Sequence, residues 1–329
     1  YHMGRFEEYG LYQENRSFLS SEQVITFTDL DGRLLALKPD VTLSIAKTAQ
    51  PAPGETLKYY YHENVYRPSA ESHTFKEISQ MGLEMLGAVD ETAVEQAVCL
   101  AAQSLEQLGR PWVLEVSHMG YLFGLFDALG VPETARPGLL AALRAKNIHE
   151  LRAAAAAAGL EGAGADALTA LLELSGDYAA VLPKAEALCR NARMREAAAE
   201  LRTLAAPLAQ AGGTARLDLT LAGEMEYYNG LVFQGYLRSL PRPLLKGGRY
   251  DLLMQKFTPG AGAIGFAVYL DELDRLSAPL PPVQQQHTDR VMLNVALPKG
   301  RLGDKVYDLL ARIGYGCPED YNATRKLVV

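Results

Sequence analysis

Asp40 and Thr42, in the run LKPDVT, set a carboxylate and a hydroxyl just past a strand, where both can be aimed at one ligand group. An acid in that position suits an ammonium. The same residues also read as a plain turn, with Asp40 capping a helix over Val41–Ala46. Arg67, in ENVYRP, ends a strand that carries few other charges, and its planar guanidinium can hold a carboxylate or phosphate at two points. The plainer reading is a surface arginine at a strand end. Gln80 and Glu84, in SQMGLEMLG, lie four apart on a predicted strand and so share a face with Gly82. The glycine leaves room for a ligand, and a carboxylate on the inner face of an apolar strand is costly unless it is paired. Further along, EMEYYNGLVF offers Tyr227 and Tyr228, which face opposite ways on a strand, so only one can line a given pocket directly. Ordinary aromatic packing is the alternative. In KGGRYD, Gly247-Gly248 permit a close-approaching backbone with Arg249 at a helix start, which is either an arrangement that faces a phosphate or simply a strand-to-helix turn.

Other chemistry is excluded by context. Gly260, Gly262 and Gly265 satisfy GxGxxG, but Phe257-Thr258-Pro259 precede them in place of a strand, and no βαβ unit surrounds them. None of the six histidines falls in HExxH or a Cys/His cluster, and Cys99, Cys189 and Cys317 show no CxxC spacing. There is no GxSxG elbow and no P-loop. Neither a metal nor a cofactor is called for.

These residues need elements to hold them. Val24–Thr28 and Leu34–Leu37 read as a hairpin about Asp31-Gly32. Leu57–Tyr66 and Glu77–Leu86 read as antiparallel strands around the polar segment Pro68–Thr74, a loop long enough to fold over a ligand. Helical spacing covers Glu91–Leu108 and stops at Gly109; Trp112–Val116 is a buried strand and Tyr121–Leu129 a short helix. Residues 132–211 are alanine-rich with few β-branched side chains, which predicts a helical insertion. Strands return at Arg216–Leu221 and Tyr228–Leu237, a helix runs from Arg249 to Phe257, and Ala263–Leu276 begins as strand and turns helical after Tyr269. This order predicts α+β with an antiparallel sheet. Residues 279–290, with Pro281-Pro282 and three glutamines, have linker composition, so a domain over 1–278 is followed by a separate start at 291–329.

At 329 residues, 48% hydrophobic and 22% charged, the chain can bury a full core. The formal net charge of -7 disfavours a broad phosphate-binding face. No stretch approaches the length of a membrane span and no signal-peptide core opens the chain, so the cytoplasm is the expected location. Both ends read as cut: Met3 follows Tyr1 and His2, and Lys326–Val329 resembles the opening of a strand.

Six segments, LLALKPDVT, YYYHENVYRP, FKEISQMGLEMLG, EYYNGLVFQGY, LLKGGRYDLL and AIGFAVYLDEL, occur in the order and rough spacing of the class II histidyl-tRNA synthetase catalytic domain, which the chain resembles over about residues 5–276. The resemblance implies a six-stranded antiparallel sheet flanked by helices, with 132–211 as the insertion. It also implies histidine binding by Asp40, Thr42, Arg67, Gln80, Glu84 and Tyr227 or Tyr228, the acids taking the ammonium and imidazole and Arg67 the carboxylate side. The departures fall where ATP would be held. An arginine of the synthetase pattern is replaced by Gly223-Glu224-Met225, another by Asp271-Glu272, and basic loop residues by Ser72-His73-Thr74. Losing cations beside ATP phosphates removes electrostatic stabilisation of the activation step. In this the chain resembles the regulatory-subunit family of short-form ATP phosphoribosyltransferase. The later segment LNVALPKGRLGDKVYDLLARIGYG resembles the start of that enzyme's catalytic subunit, with Lys299 and Arg301 matching its phosphate-facing turn. The resemblance therefore implies a non-catalytic chain, with L-histidine as effector and a catalytic ATP phosphoribosyltransferase subunit as partner in a hetero-oligomer for the first step of histidine biosynthesis. It implies no tRNA and no membrane partner. A divergent histidyl-tRNA synthetase and a fragment of a regulatory–catalytic fusion are the other readings.

Overall fold

The structure is a computed structural model and describes residues 2–15, 18, 24–69, 74–221 and 228–276. All belong to the first of the chain's two compact units, which ends at Pro281. The expected linker and everything after it, with Lys299 and Arg301, lie outside the described residues, as do Tyr227 and Gly223-Glu224-Met225.

In chain order the elements are β1 (Phe6–Glu8), α1 (Tyr9–Glu14), β2 (Ile25–Thr28), β3 (Leu34–Leu37), α2 (Thr42–Thr48), β4 (Thr56–Ser69), β5 (Thr74–Gly87), α3 (Glu91–Glu106), β6 (Trp112–His118) and α4 (Met119–Ala128). The insertion supplies α5 (Arg136–Arg144), α6 (Ile148–Ala157), α7 (Ala163–Ala170), β7 (Ser175–Asp177), α8 (Tyr178–Ala187) and α9 (Ala192–Gln210). The chain then returns through β8 (Thr214–Asp218), β9 (Leu231–Leu237), β10 (Leu245–Arg249), α10 (Asp251–Phe257), β11 (Gly262–Tyr269) and α11 (Leu270–Leu273).

The main sheet has eight strands in the order β4-β5-β11-β10-β9-β6-β8-β7. From β4 to β6 every neighbour is antiparallel, which gives the antiparallel sheet the sequence predicts and the six strands the resemblance implies. Two further strands correct that expectation: β8 joins β6 in parallel and β7 closes the edge. Because β7 comes from within 132–211, the insertion is not purely helical but is stitched to the sheet. A small second sheet, β1-β3-β2, contains the predicted hairpin.

The 14-residue strands β4 and β5 pair from Thr56↔Gly87 to Ser69↔Thr74. They therefore run into the segment expected to be a loop, and only residues 70–73 separate them. Alternation puts Met81, Leu83 and Met85 of β5 on one face of the sheet and Gln80, Gly82 and Glu84 on the other. Helix α3 covers the first face. Its start is capped by Asp90, whose carboxylate accepts from Ala93 N at 2.9 Å, and Val94, Ala97, Val98, Ala101 and Leu105 form its buried stripe. Gly109, at φ 60°, follows its last turn. The opposite face packs Tyr61, Val65 and Leu86 against α2 and α10 in a second core cluster. Among the described residues no helix is long and apolar enough to cross a membrane.

Candidate functional site

Between the second core cluster and the sheet lies a narrow cavity of about 30 Å³ lined by Asp40, Thr42, Arg67, Gln80, Glu84 and Tyr228. Every described residue that the resemblance assigns to histidine thus lines one cavity, although the start of α2, β4, β5 and the segment before β9 supply them from across the chain.

Glu84 is the centre of the site. Its side chain is 2% exposed; Thr42 Oγ1 donates to Oε1 at 2.8 Å and Tyr250 OH donates to Oε2 at 2.6 Å. Burial pushes its carboxyl up to about 8, against the two hydroxyl hydrogen bonds that favour the charged form, and the nearby Asp40 charge pushes the same way as burial. Asp40 is also raised by burial, opposed by Arg67 and by its bond from the Leu43 amide. That bond, Leu43 N to Asp40 Oδ1 at 2.8 Å, makes Asp40 cap the first turn of α2 while it lines the cavity. The capping reading of Asp40 is borne out, with the helix beginning at Thr42, and the same side chain also borders the cavity. Arg67 donates from Nε to Pro39 O at 2.8 Å, and its Nη2 lies 3.8 Å from Asp40 Oδ2. The cavity therefore holds two buried acids facing one guanidinium, with Lys246 also at its edge.

Two glycines let side chains pack into the site, and Gly82 does so otherwise than the sequence suggested. A Cβ on Gly265 would sit 1.7 Å from Glu84 Oε2, so β11 must be bare at the point where the carboxylate crosses it. A Cβ on Gly82 would sit 2.3 Å from Tyr61 Cζ, so the space beside Gly82 is occupied by the Tyr61 ring and not kept for a ligand. The structure also corrects the reading of Gly247-Gly248-Arg249. These residues are strand β10, and the helix starts at Asp251. Phe233 and Tyr228 lie against the two glycines, and Arg249 is engaged by Asp251 at 2.8 Å and by Glu200 at 3.7 Å without reaching the cavity. Tyr228 lines the cavity, while Tyr227 is outside the described residues.

Sequence reading missed Tyr61, Tyr250, Lys246 and Tyr269, all of which line the cavity. Tyr61 pairs with Gly82 in the β4–β5 register, a large residue opposite a small one that the strand assignments alone could have shown. Tyr250 stands inside the GGRYD segment already singled out for its arginine. Beyond β11, Asp271 Oδ2 accepts from Ser79 N at 3.2 Å and Glu272 pairs with Arg275 at 3.0 Å, and neither acid lines the cavity.

A family model described as Histidyl-tRNA synthetase matches residues 8–273. The ATP phosphoribosyltransferase regulatory subunit of Symbiobacterium thermophilum is 33% identical over 264 residues, covering 77% of this chain and 64% of that protein. The protein of the same name from Shouchella clausii is 34% identical over 265 residues, covering 78% of this chain and 67% of that one. The chain thus spans about two thirds of the length of these relatives. A crystal structure described as an ATP phosphoribosyltransferase regulatory subunit/histidyl-tRNA synthetase from Bacillus halodurans C superposes with a TM-score of 0.71 at 31% identity, over 83% of this chain and 73% of that one.

Proposed function

The chain belongs to the histidyl-tRNA synthetase family, among its ATP phosphoribosyltransferase regulatory subunits, and from that membership we propose that it binds free L-histidine and conveys the signal to a catalytic phosphoribosyltransferase subunit without charging tRNA itself. The observation that supports this most is the buried pair Asp40 and Glu84 opposite Arg67. Two desolvated carboxylates beside each other destabilise a fold that has no use for them, and a ligand with an ammonium, a basic ring and a carboxylate satisfies all three groups at once. At about 30 Å³ the cavity takes little more than a water or two. A whole amino acid enters as the half-buried Arg67, Lys246 and Tyr269 move, so binding and rearrangement are one event.

The acids at Asp271 and Glu272 favour a regulator over a synthetase, because the transition state of amino-acid activation gathers negative charge that they repel. The partner is proposed from the relatives' name, a regulatory subunit being one that acts on a catalytic one. Histidine-dependent exchange of pyrophosphate into ATP tests the choice. The regulator gives none above the protein-free background, and exchange that disappears in Glu84→Gln would establish a divergent synthetase instead.

A further inference from the structure

Three consecutive residues at the end of β10 reach in three directions. Tyr250 OH donates to Glu84 in the cavity at 2.6 Å. Asp251 Oδ1 accepts from Ala263 N of β11 at 2.9 Å. Arg249 points away from the cavity, its Nε donating to Asp251 Oδ2 at 2.8 Å, its Nη2 to Val89 O at 3.4 Å, and its Nη1 standing 3.7 Å from Glu200 Oε1. Glu200 lies on α9, the longest helix of the insertion. It is fixed from its other side, because His118 Nε2 meets Oε2 at 3.0 Å while His118 Nδ1 accepts from Gly120 N at 3.0 Å in capping α4. Only the Nε2–H tautomer of His118 makes both bonds.

Glu200 is thus pinned to the sheet by His118 and turns its second oxygen to Arg249. That oxygen is buried and accepts no hydrogen bond, an unfavourable state for an acceptor that is held here by the guanidinium charge alone. Burial raises the Glu200 carboxyl, and the His118 hydrogen bond and the Arg249 charge outweigh it and keep it below the usual carboxylate range. Arg249 is shared between two acids, one on the pocket side of the turn and one on the insertion, and the Tyr250 hydroxyl rides on that turn.

We propose that Glu200 is a positioning residue for the pocket: by holding Arg249 it fixes the Arg249–Tyr250–Asp251 turn, so that the helical insertion and the cavity respond to each other through this one ion pair. The inference deepens the binding-site reading, but its test does not depend on histidine. The polar and charged groups that share the cavity with Glu84 are Thr42 and Asp40 from the α2 side, Tyr61 and Arg67 from β4, Gln80 from β5, Lys246, Tyr250 and Tyr228 from the β10 side, and Tyr269 from β11. Of these, Tyr250 follows Arg249 directly and donates to Glu84, while Tyr228 precedes Asn229, whose N–H donates to Arg249 O at 3.0 Å.

The experiment follows the Glu84 carboxyl resonance in protein labelled at glutamate side chains, identified by its loss in Glu84→Gln, through a pH titration of wild type, Glu200→Gln and Glu196→Gln. Glu196 is exposed on the same helix and controls for the loss of one charge. A loosened Tyr250 bond leaves the Glu84 carboxylate less well held, so its midpoint in Glu200→Gln rises, by about half a pH unit or more. Simple removal of a distant negative charge lowers it. A downward shift, no shift, or the same shift in Glu196→Gln would overturn the proposal. If Glu200→Gln does not fold, Arg249→Lys keeps the charge, breaks the two-acid grip, and must give the same rise. Failure of wild type to bind histidine would remove the sensor reading and leave this comparison valid.

Discussion

Glu84 concentrates the physical tension of the molecule. Its carboxyl titrates at about 8 in the folded chain and near 4.5 when free, so between those values the folded state holds the extra proton. Stability contributed at this site is therefore present at low pH and falls as pH rises from about 4.5 to about 8, by up to about 1.4 kcal/mol per unit. Glu84→Gln removes the ionisation but leaves hydroxyl partners for the amide. Chemical denaturation of this variant at pH 5 and pH 8 should show a smaller loss of stability than wild type, together with histidine binding weakened by about 100-fold or more. A variant that gains pH tolerance and loses ligand separates a binding residue from a structural one. The same ionisation predicts that histidine affinity rises between pH 6 and pH 8, at most about tenfold per unit, because a cationic ligand selects the carboxylate. An affinity that is flat over this range would place the cationic contact elsewhere.

At the scale of elements, the strands are what make the site, by crossing where one of them carries no side chain. Gly265→Ala puts a methyl where Glu84 Oε2 lies. It should cost about 1–3 kcal/mol in unfolding free energy as an overpacked core position and lower histidine affinity at least as much as Glu84→Gln. Another support sits behind the site. Lys38, 1% exposed at the end of β3, pairs with the buried Glu63 of β4, which His2 also contacts at 2.6 Å. Burial raises the Glu63 carboxyl, but Lys38 and His2 outweigh it and hold it low, so this stability is present above the free carboxylate range and lost as pH falls through the folded value. Lys38→Met leaves Glu63 buried without its cation and should destabilise by about 3–5 kcal/mol, measurable as a lowered denaturation midpoint. Most of this architecture was legible. Alternation and turn residues placed β2, β3, β4 and β5, apolar character placed β6, and helical spacing stopping at Gly109 placed α3. What was not legible depends on distant partners. Nothing local in Gly247-Gly248 says that aromatic rings from neighbouring segments fill the space above them, so a strand read as a turn. Nor does the alanine-rich stretch announce that Ser175–Asp177 will pair with β8. Lys38 escaped notice because its partner lies 25 residues away on another strand.

For the whole molecule, the pocket belongs to the synthetase-like sheet, the insertion is stitched to that sheet through β7, and Glu200 of the insertion lies 3.7 Å from Arg249 at the end of β10. The cavity residues foreseen from sequence lie in segments that carry the family resemblance, while the residues missed, Tyr61 and Tyr250 among them, are those that shape the space and hold the acids. All of this rests on one binding event. Calorimetric titration of histidine into the chain at pH 8, beside Glu84→Gln, measures it directly. The account predicts one site per chain with a Kd tighter than about 0.1 mM, or roughly 5.5 kcal/mol of binding free energy, and no measurable heat with the variant. A folded wild-type chain that takes up no histidine at several millimolar, or a variant that binds as well as wild type, would contradict it.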